Sequence, residues 1–270
     1  MELIDTHCHL SFNGLAENID AVIQRSIDAG VKSWITVGTD PAENQKAVRL
    51  AASFENMYAA VGIHPHDAKI VTARTIHQLE QLAENQKVVA IGETGLDFHY
   101  DLSPHEQQIR VFAQHLSIAK KLNLPVIVHC REAFDVTVDV LDRFADNVRG
   151  IVFHCFSGTS QQAEILLQKG YYISFTGVVT FKNAQAARDA AAVVPLDRLM
   201  IETDCPYMSP EPVRKQSINE PALMVHTAKL LAELKKMNFE DFAQAVTATS
   251  KNFFALPGCS KLHPCATEER

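Results

Sequence analysis

Between residues 2 and 256 the chain repeats one beat: an apolar run of four to seven residues, a polar or Gly/Pro break, then an amphipathic stretch long enough for a helix. Apolar runs at 3–7, 33–37, 57–63, 88–92, 125–128, 151–153, 171–175 and 198–201 predict strands. The stretches near 16–29, 41–54, 72–84, 104–122, 133–144, 161–169, 184–192 and 221–235 predict helices, and one more near 240–254 ends the pattern. Pro41 suits a first helical turn, and Ser103 with Glu106 has the spacing of a capping box. Eight β-then-α units require a parallel sheet with helical crossovers. In this length they predict a single-domain α/β fold, a closed (β/α)8 TIM barrel over residues 1–256, with 257–270 as a flexible C-terminal tail. An open doubly wound sheet is the alternative, but the first strand is not followed by the glycine-rich fingerprint such a sheet would carry.

Composition adds limits to this picture. With 47% hydrophobic and 21% charged residues, the chain has an ordinary globular make-up that argues against disorder and fibrous architecture. No apolar run is long enough to span a bilayer, and the N-terminus carries Glu2 and Asp5 in place of a basic leader, so a cytoplasmic protein without membrane contact is expected. A net charge of −7 opposes loose attraction to nucleic acid over the whole surface, which leaves any polyanion to be held by a local basic patch. No feature points to an obligate protein partner.

Candidate chemistry collects at the ends of the predicted strands. His7 and His9 close the first, His64 and His66 follow the third, Glu93 closes the fourth, His129 the fifth, His154 the sixth, and Glu202 and Asp204 follow the eighth. Residues at i and i+2 on a strand share a face, and the C-terminal strand ends of a barrel converge on one mouth. A single histidine after a strand is usually a satisfied core residue. Five strand ends closing in His, Glu or Asp instead point to a metal site. Cys8, Cys130, Cys155 and Cys205 each directly follow such a residue, so strand alternation turns their thiols to the opposite face, as small buried groups. Cys259, His263 and Cys265 in the tail match no metal module. His77, His99, His105, His115 and His226 fall outside the pattern and are expected to be solvated.

Four histidines with Glu93 and Asp204 exceed what one catalytic ion needs, so two divalent ions are expected. The assignment places one on His7, His9 and Asp204 and the other on His129 and His154. Glu93 bridges them, a water-derived hydroxide between the metals is the nucleophile, and Asp204 is the base. Mixed His/carboxylate ligands admit Zn²⁺ or Mn²⁺, and Mg²⁺ where substrate phosphate completes its shell. Glu202 is expected behind the ligands, with competition for the base as its other reading. His64, Arg131 and Lys182 are the candidates for binding substrate.

Taken in order, His7-Cys8-His9, Gly62-Ile63-His64-Pro65-His66, Ile91-Gly92-Glu93-Thr94-Gly95-Leu96-Asp97, Pro125-Val126-Ile127-Val128-His129, His154-Cys155-Phe156-Ser157-Gly158 and Glu202-Thr203-Asp204-Cys205-Pro206-Tyr207 resemble the motifs of the TatD family of metal-dependent hydrolases. The resemblance covers roughly residues 2–256. It implies a TIM-barrel member of the amidohydrolase superfamily with the ligands named above, acting as a deoxyribonuclease, often a 3′-to-5′ exonuclease on single-stranded DNA. The segment Arg214-Lys215-Gln216-Ser217-Ile218-Asn219 departs from the more basic run that relatives often carry there. The alternative within the superfamily is hydrolysis of a small cyclic amide or phosphoester. Many such enzymes bridge their metals with a carboxylated lysine, and none stands at position 93. A metal-stabilised binding protein without catalysis is the reading from a different class.

Overall fold

The computed structural model describes residues 2–257. Eight strands run parallel and neighbour one another in sequence order: β1 (Leu3–Cys8), β2 (Val31–Val37), β3 (Met57–Val61), β4 (Val88–Asp97), β5 (Val126–Arg131), β6 (Ile151–Phe153), β7 (Tyr172–Phe175) and β8 (Leu199–Ile201). The connecting helices are α1 (Ile19–Asp28), α2 (Pro41–Ser53), α3 (Ala73–Ala83), α4 (His105–Leu122), α5 (Phe134–Phe144), α6 (Ser160–Gln168), α7 (Gln185–Val193) and α8 (Met224–Leu234), with α9 (Phe239–Phe254) last. This is a (β/α)8 TIM barrel, as the alternation predicts. From residue 258 onward the expected tail, with Cys259, His263 and Cys265, lies outside the described residues. Among the described residues no helix is long and apolar enough to cross a membrane.

The strands are buried on both faces, which is why they read as near-continuous apolar runs. Ile4, Ile35, Val37, Ala60, Ala90, Ile127, Val152 and Met200 pack together inside the barrel, and Phe253, Phe254 and Leu256 at the end of α9 join the same cluster. Leu3, Val31, Val61, Val88, Val126, Phe153 and Leu199 belong to the second cluster, shared with the helices. Each large aliphatic side chain buried this way is worth roughly 1.5–3 kcal/mol. Beyond the strand ends, β1 and β8 are joined by Asp204 N donating to His7 O at 2.9 Å and His9 N donating to Cys205 O at 2.8 Å.

Three local expectations need correction. The fourth strand does not stop near Gly92 but continues to Asp97, and its register against β5 shifts between Ile91 and Thr94. Gly95 makes this possible: its φ is +140°, and a Cβ there would lie 2.0 Å from His129 O. Helix α4 has Pro104 at its N-cap and no side-chain cap. The Ser103 hydroxyl donates instead to His66 O at 2.6 Å and accepts from Lys69 N at 3.0 Å, tying the loop after β4 to the loop after β3. His115 is fully buried rather than solvated. Its Nδ1 donates to Val111 O at 2.7 Å and its Nε2 accepts from Ile63 N at 2.9 Å, so the ring satisfies a backbone donor ahead of His64.

Candidate metal centre

At the C-terminal end of the barrel a cavity of about 720 Å³ is lined by residues from most of the strand ends, among them His9, His64, His66, Glu93, His129, Arg131, His154 and Asp204. Glu93 lies at its heart. One carboxylate oxygen, Oε2, is 3.4 Å from His7 Nε2 and 3.9 Å from His9 Nε2. The other, Oε1, is 2.7 Å from His129 Nδ1, 2.8 Å from His154 Nε2 and 3.5 Å from His64 Nε2. Burial opposes a charge on Glu93, yet the surrounding His154, His64 and His129 hold it well below the usual carboxylate range. Asp204 Oδ1 completes the first set at 3.6 Å from His7 Nε2 and 3.3 Å from His9 Nε2.

The donor atoms of the first set suit a cation. His9 Nδ1 donates to Val37 O at 2.9 Å, which leaves the Nε2 lone pair of the neutral ring facing inward, 3.3 Å from His7 Nε2. Lone pairs and carboxylate oxygens aimed at one another repel unless something positive lies between them. Four ligands around a tetrahedral ion, with bonds of about 2.1 Å, stand about 3.4 Å apart. The separations here run from 3.3 to 3.9 Å. In the second set, His129 Nδ1 and His154 Nε2 lie 3.3 Å apart and share Glu93 Oε1. His154 also stacks on His7 with centroids 4.0 Å apart.

His64 is different. Its Nδ1 accepts the backbone N–H of His66 at 3.2 Å, and burial lowers its pKa to about 3, so the neutral ring carries its proton on Nε2. That nitrogen, 3.5 Å from Glu93 Oε1, is arranged in this tautomer to donate, although His64, Glu93 and His129 also stand close enough together to hold a cation.

Behind the ligands, Asp97 Oδ2 faces His129 Nε2 at 3.1 Å and His66 Nε2 at 3.0 Å, while its Oδ1 accepts from His99 N and Tyr100 N, each at 3.0 Å. Asp5, fully buried, accepts from Thr203 N at 3.0 Å and Thr203 Oγ1 at 2.5 Å, which braces the segment that carries Asp204. Burial raises its pKa to about 7 against these hydrogen bonds. Glu202, buried and not among the lining residues, accepts from Cys155 N at 2.6 Å and from Thr6 Oγ1 at 3.4 Å and faces His154 Nδ1 at 3.5 Å, close enough for it, His7 and His154 to form a further set able to hold a cation. Of the substrate candidates, His64 and Arg131 line the mouth. Lys182 is exposed on the loop after β7 and is not among the lining residues.

A match to the family described as TatD related DNase spans residues 4–255. The chain belongs to the TatD family of metal-dependent hydrolases. This TatD-family chain is 38% identical over 254 residues to the uncharacterized metal-dependent hydrolase YabD of Bacillus subtilis (strain 168), covering 94% of this chain and 99% of that protein. It is 34% identical over 258 residues to the 3′-5′ ssDNA/RNA exonuclease TatD of Shigella flexneri serotype 5b (strain 8401), covering 94% and 99%. The crystal structure of YJJV, a TatD homolog from Escherichia coli K12, matches with a TM-score of 0.89 at 35% identity, covering 94% of this chain and 98% of that one.

Two features of this TatD-family site escape the sequence reading. The sequence pattern assigns Asp97 and His66 no role, although Glu93, Gly95 and Asp97 follow the period of two that puts both carboxylates on one strand face. Cys130 and Cys155 line the mouth, contrary to the expectation that their thiols turn away. For Cys155 the reason is that β6 ends at Phe153, so alternation no longer applies, and a φ of +46° re-aims the residue. Cys8 and Cys205 are buried, as alternation predicts.

Proposed function

We propose that this TatD-family hydrolase cleaves phosphodiester bonds in single-stranded nucleic acid, as a 3′-5′ exonuclease on DNA, using two divalent ions such as Mg²⁺, Zn²⁺ or Mn²⁺. The observation that carries the reading is the division of Glu93: one oxygen faces His7 and His9, the other His129 and His154. His7, His9 and Asp204 would hold the first ion, His129 and His154 the second, and Glu93 both. When bound, such ions acidify a water and neutralise charge on the phosphoryl oxygens.

The chain's own groups have separate tasks. Asp204, beside His9 and His7 and kept ionised by them despite its burial, accepts the proton of the attacking water. His64 donates a hydrogen bond from its Nε2–H to a phosphoryl oxygen and keeps its proton. Arg131, on the mouth wall, offers a planar guanidinium that suits two such oxygens at once. Glu202 holds the Cys155 backbone beside His154, and Lys182 contributes charge from further out. The similarity to the Shigella relative named as a 3′-5′ ssDNA/RNA exonuclease supports a nucleic-acid substrate.

The test is metal-dependent hydrolysis of labelled single-stranded DNA, the matching duplex, bis(p-nitrophenyl) phosphate and a dihydropyrimidine. Stepwise shortening of the single strand from its 3′ end is expected. Turnover of the cyclic amide with none of the three phosphodiesters cleaved would overturn the reading.

A further inference from the structure

A second cavity, of about 380 Å³, opens off the mouth and shares Cys130, Arg131, His154 and Ser157 with it. We propose that it binds the nucleobase of the nucleotide attached to the scissile phosphate. This rests on the phosphodiesterase reading of the adjoining centre and adds the element that tells a nucleotide from any other phosphodiester.

The volume falls within the ~300–1,000 Å³ range of small-ligand sites. Its walls include Phe134, Phe153 and Phe156; Phe153, 1% exposed, backs the wall, and Phe134 and Phe156 are the rings that a flat heterocycle would meet. At the junction with the mouth, the Arg131 guanidinium lies over the Tyr100 ring, 4.6 Å from its centroid, and Tyr100 is itself held by its backbone N–H to Asp97 Oδ1. A guanidinium fixed in this way has one plane to stack on a base while its edge remains near the phosphate.

Gln162 supplies the polar contact. Its Oε1 accepts from Thr159 N at 2.9 Å in the capping box of α6, which fixes the orientation of the amide. The amide NH₂ has no protein partner among the described residues, and Gln162 lines the cavity. Such a donor meets the ring nitrogens and carbonyl oxygens that every base carries, so this pairing with an aromatic wall predicts tolerance of sequence. Gly158 is required for the arrangement, because a Cβ there would come within 2.5 Å of Gln162 Oε1 and 2.7 Å of Phe156 Cζ. A base must be unpaired to enter, which ties the cavity to single-stranded substrate.

The experiment compares 5′-labelled single strands that end in either a normal or an abasic 3′ nucleotide, with bis(p-nitrophenyl) phosphate alongside. The full-length wild type is expected to prefer the base-bearing end roughly ten-fold or more in kcat/KM. Gln162→Glu keeps the helix-capping acceptor and removes the donor, so it should cut that preference toward one, as should Phe156→Leu if its melting temperature stays near that of the wild type. Metal-free wild type mixed with a strand carrying 2-aminopurine at its 3′ end should quench the probe on binding, and Gln162→Glu should quench it less. Equal kcat/KM for base-bearing and abasic ends in a wild type that degrades both would overturn the proposal and leave the phosphodiesterase reading standing. Hydrolysis of the small diester with no cleavage of DNA would overturn both.

Discussion

Asp97 Oδ2 stands 3.1 Å from His129 Nε2, on the far side of the ring from Glu93. The carboxylate fixes the proton on Nε2 and so leaves the Nδ1 lone pair facing Glu93 Oε1, the arrangement by which an outer carboxylate orients an imidazole able to bind a metal. Burial opposes the charge on Asp97, but His129, the Tyr100 N–H and His66 hold it below the usual carboxylate range. Asp97→Ala is therefore expected to weaken the second ion's affinity about 10- to 100-fold while sparing the first, and Asp97→Asn, which keeps one acceptor oxygen, to weaken it less. Competition titration with a chelating dye reads both affinities. Equal weakening at the two sites would rule out this role.

Glu93→Ala removes a donor from each set, whereas His129→Ala removes one from the second set alone. After dialysis at one pH, metal analysis should find about one ion per chain in His129→Ala and less in Glu93→Ala. A fully active wild type that never takes up more than one ion under metal excess would sink the two-ion scheme.

Asp204→Asn leaves an oxygen that can still ligate but cannot take up a proton. Turnover should fall about 10²–10⁴-fold, with metal occupancy falling far less. Turnover near that of the wild type would exclude Asp204 as the proton acceptor and direct attention to Glu202.

Arg131 lines the mouth and Lys182 does not. Arg131→Ala should raise KM for single-stranded DNA about ten-fold and flatten its dependence on salt, with a much smaller effect from Lys182→Ala. Hydrolysis of bis(p-nitrophenyl) phosphate, which offers Arg131 a single phosphate and no flanking nucleotides, should fall less than DNA turnover in Arg131→Ala and stay near wild type in Lys182→Ala. Equal losses on both substrates would instead point to a disturbed core.

His115 lies away from the mouth and makes stability depend on pH. Burial lowers its pKa from 6.5 to about 4, so below pH 6.5 the unfolded chain binds a proton that the folded chain resists. The stabilising difference is therefore complete above pH 6.5 and is lost as pH falls toward 4, to a total of about 3 kcal/mol. Urea midpoints across that window, compared between wild type and His115→Gln, isolate this share. A difference that stays constant with pH would show that the ring is not the source.

Much of this was legible from pattern alone, because strand alternation and barrel convergence are rules of backbone geometry. The period of two places His7 and His9 together, and eight repeated units bring residue 7 beside residue 204. What pattern could not show was where alternation lapses. A glycine at 95 carries β4 past its expected end to Asp97, and a left-handed Cys155 turns into the mouth. Nor does spacing reveal competition for a hydroxyl. Ser103 has the offset of a helix cap, but it is buried between two loops whose backbone groups it satisfies. His115 shows the same limit, since its partner Ile63 is 52 positions away in the chain.

The hydrogen bonds from Asp204 N to His7 O and from His9 N to Cys205 O join the first and last strand ends directly. A chain leaving the ribosome carries both histidines from the start, yet Asp204, the later of the two carboxylates that face them, is made nearly two hundred residues afterwards. Until then the growing chain has an unclosed sheet edge and half a cage for a cation, and its assembly depends on contacts of the longest sequence separation, which form slowly. A chain cut anywhere before residue 204 therefore keeps His7 and His9 but lacks the Asp204 carboxylate that faces both of them.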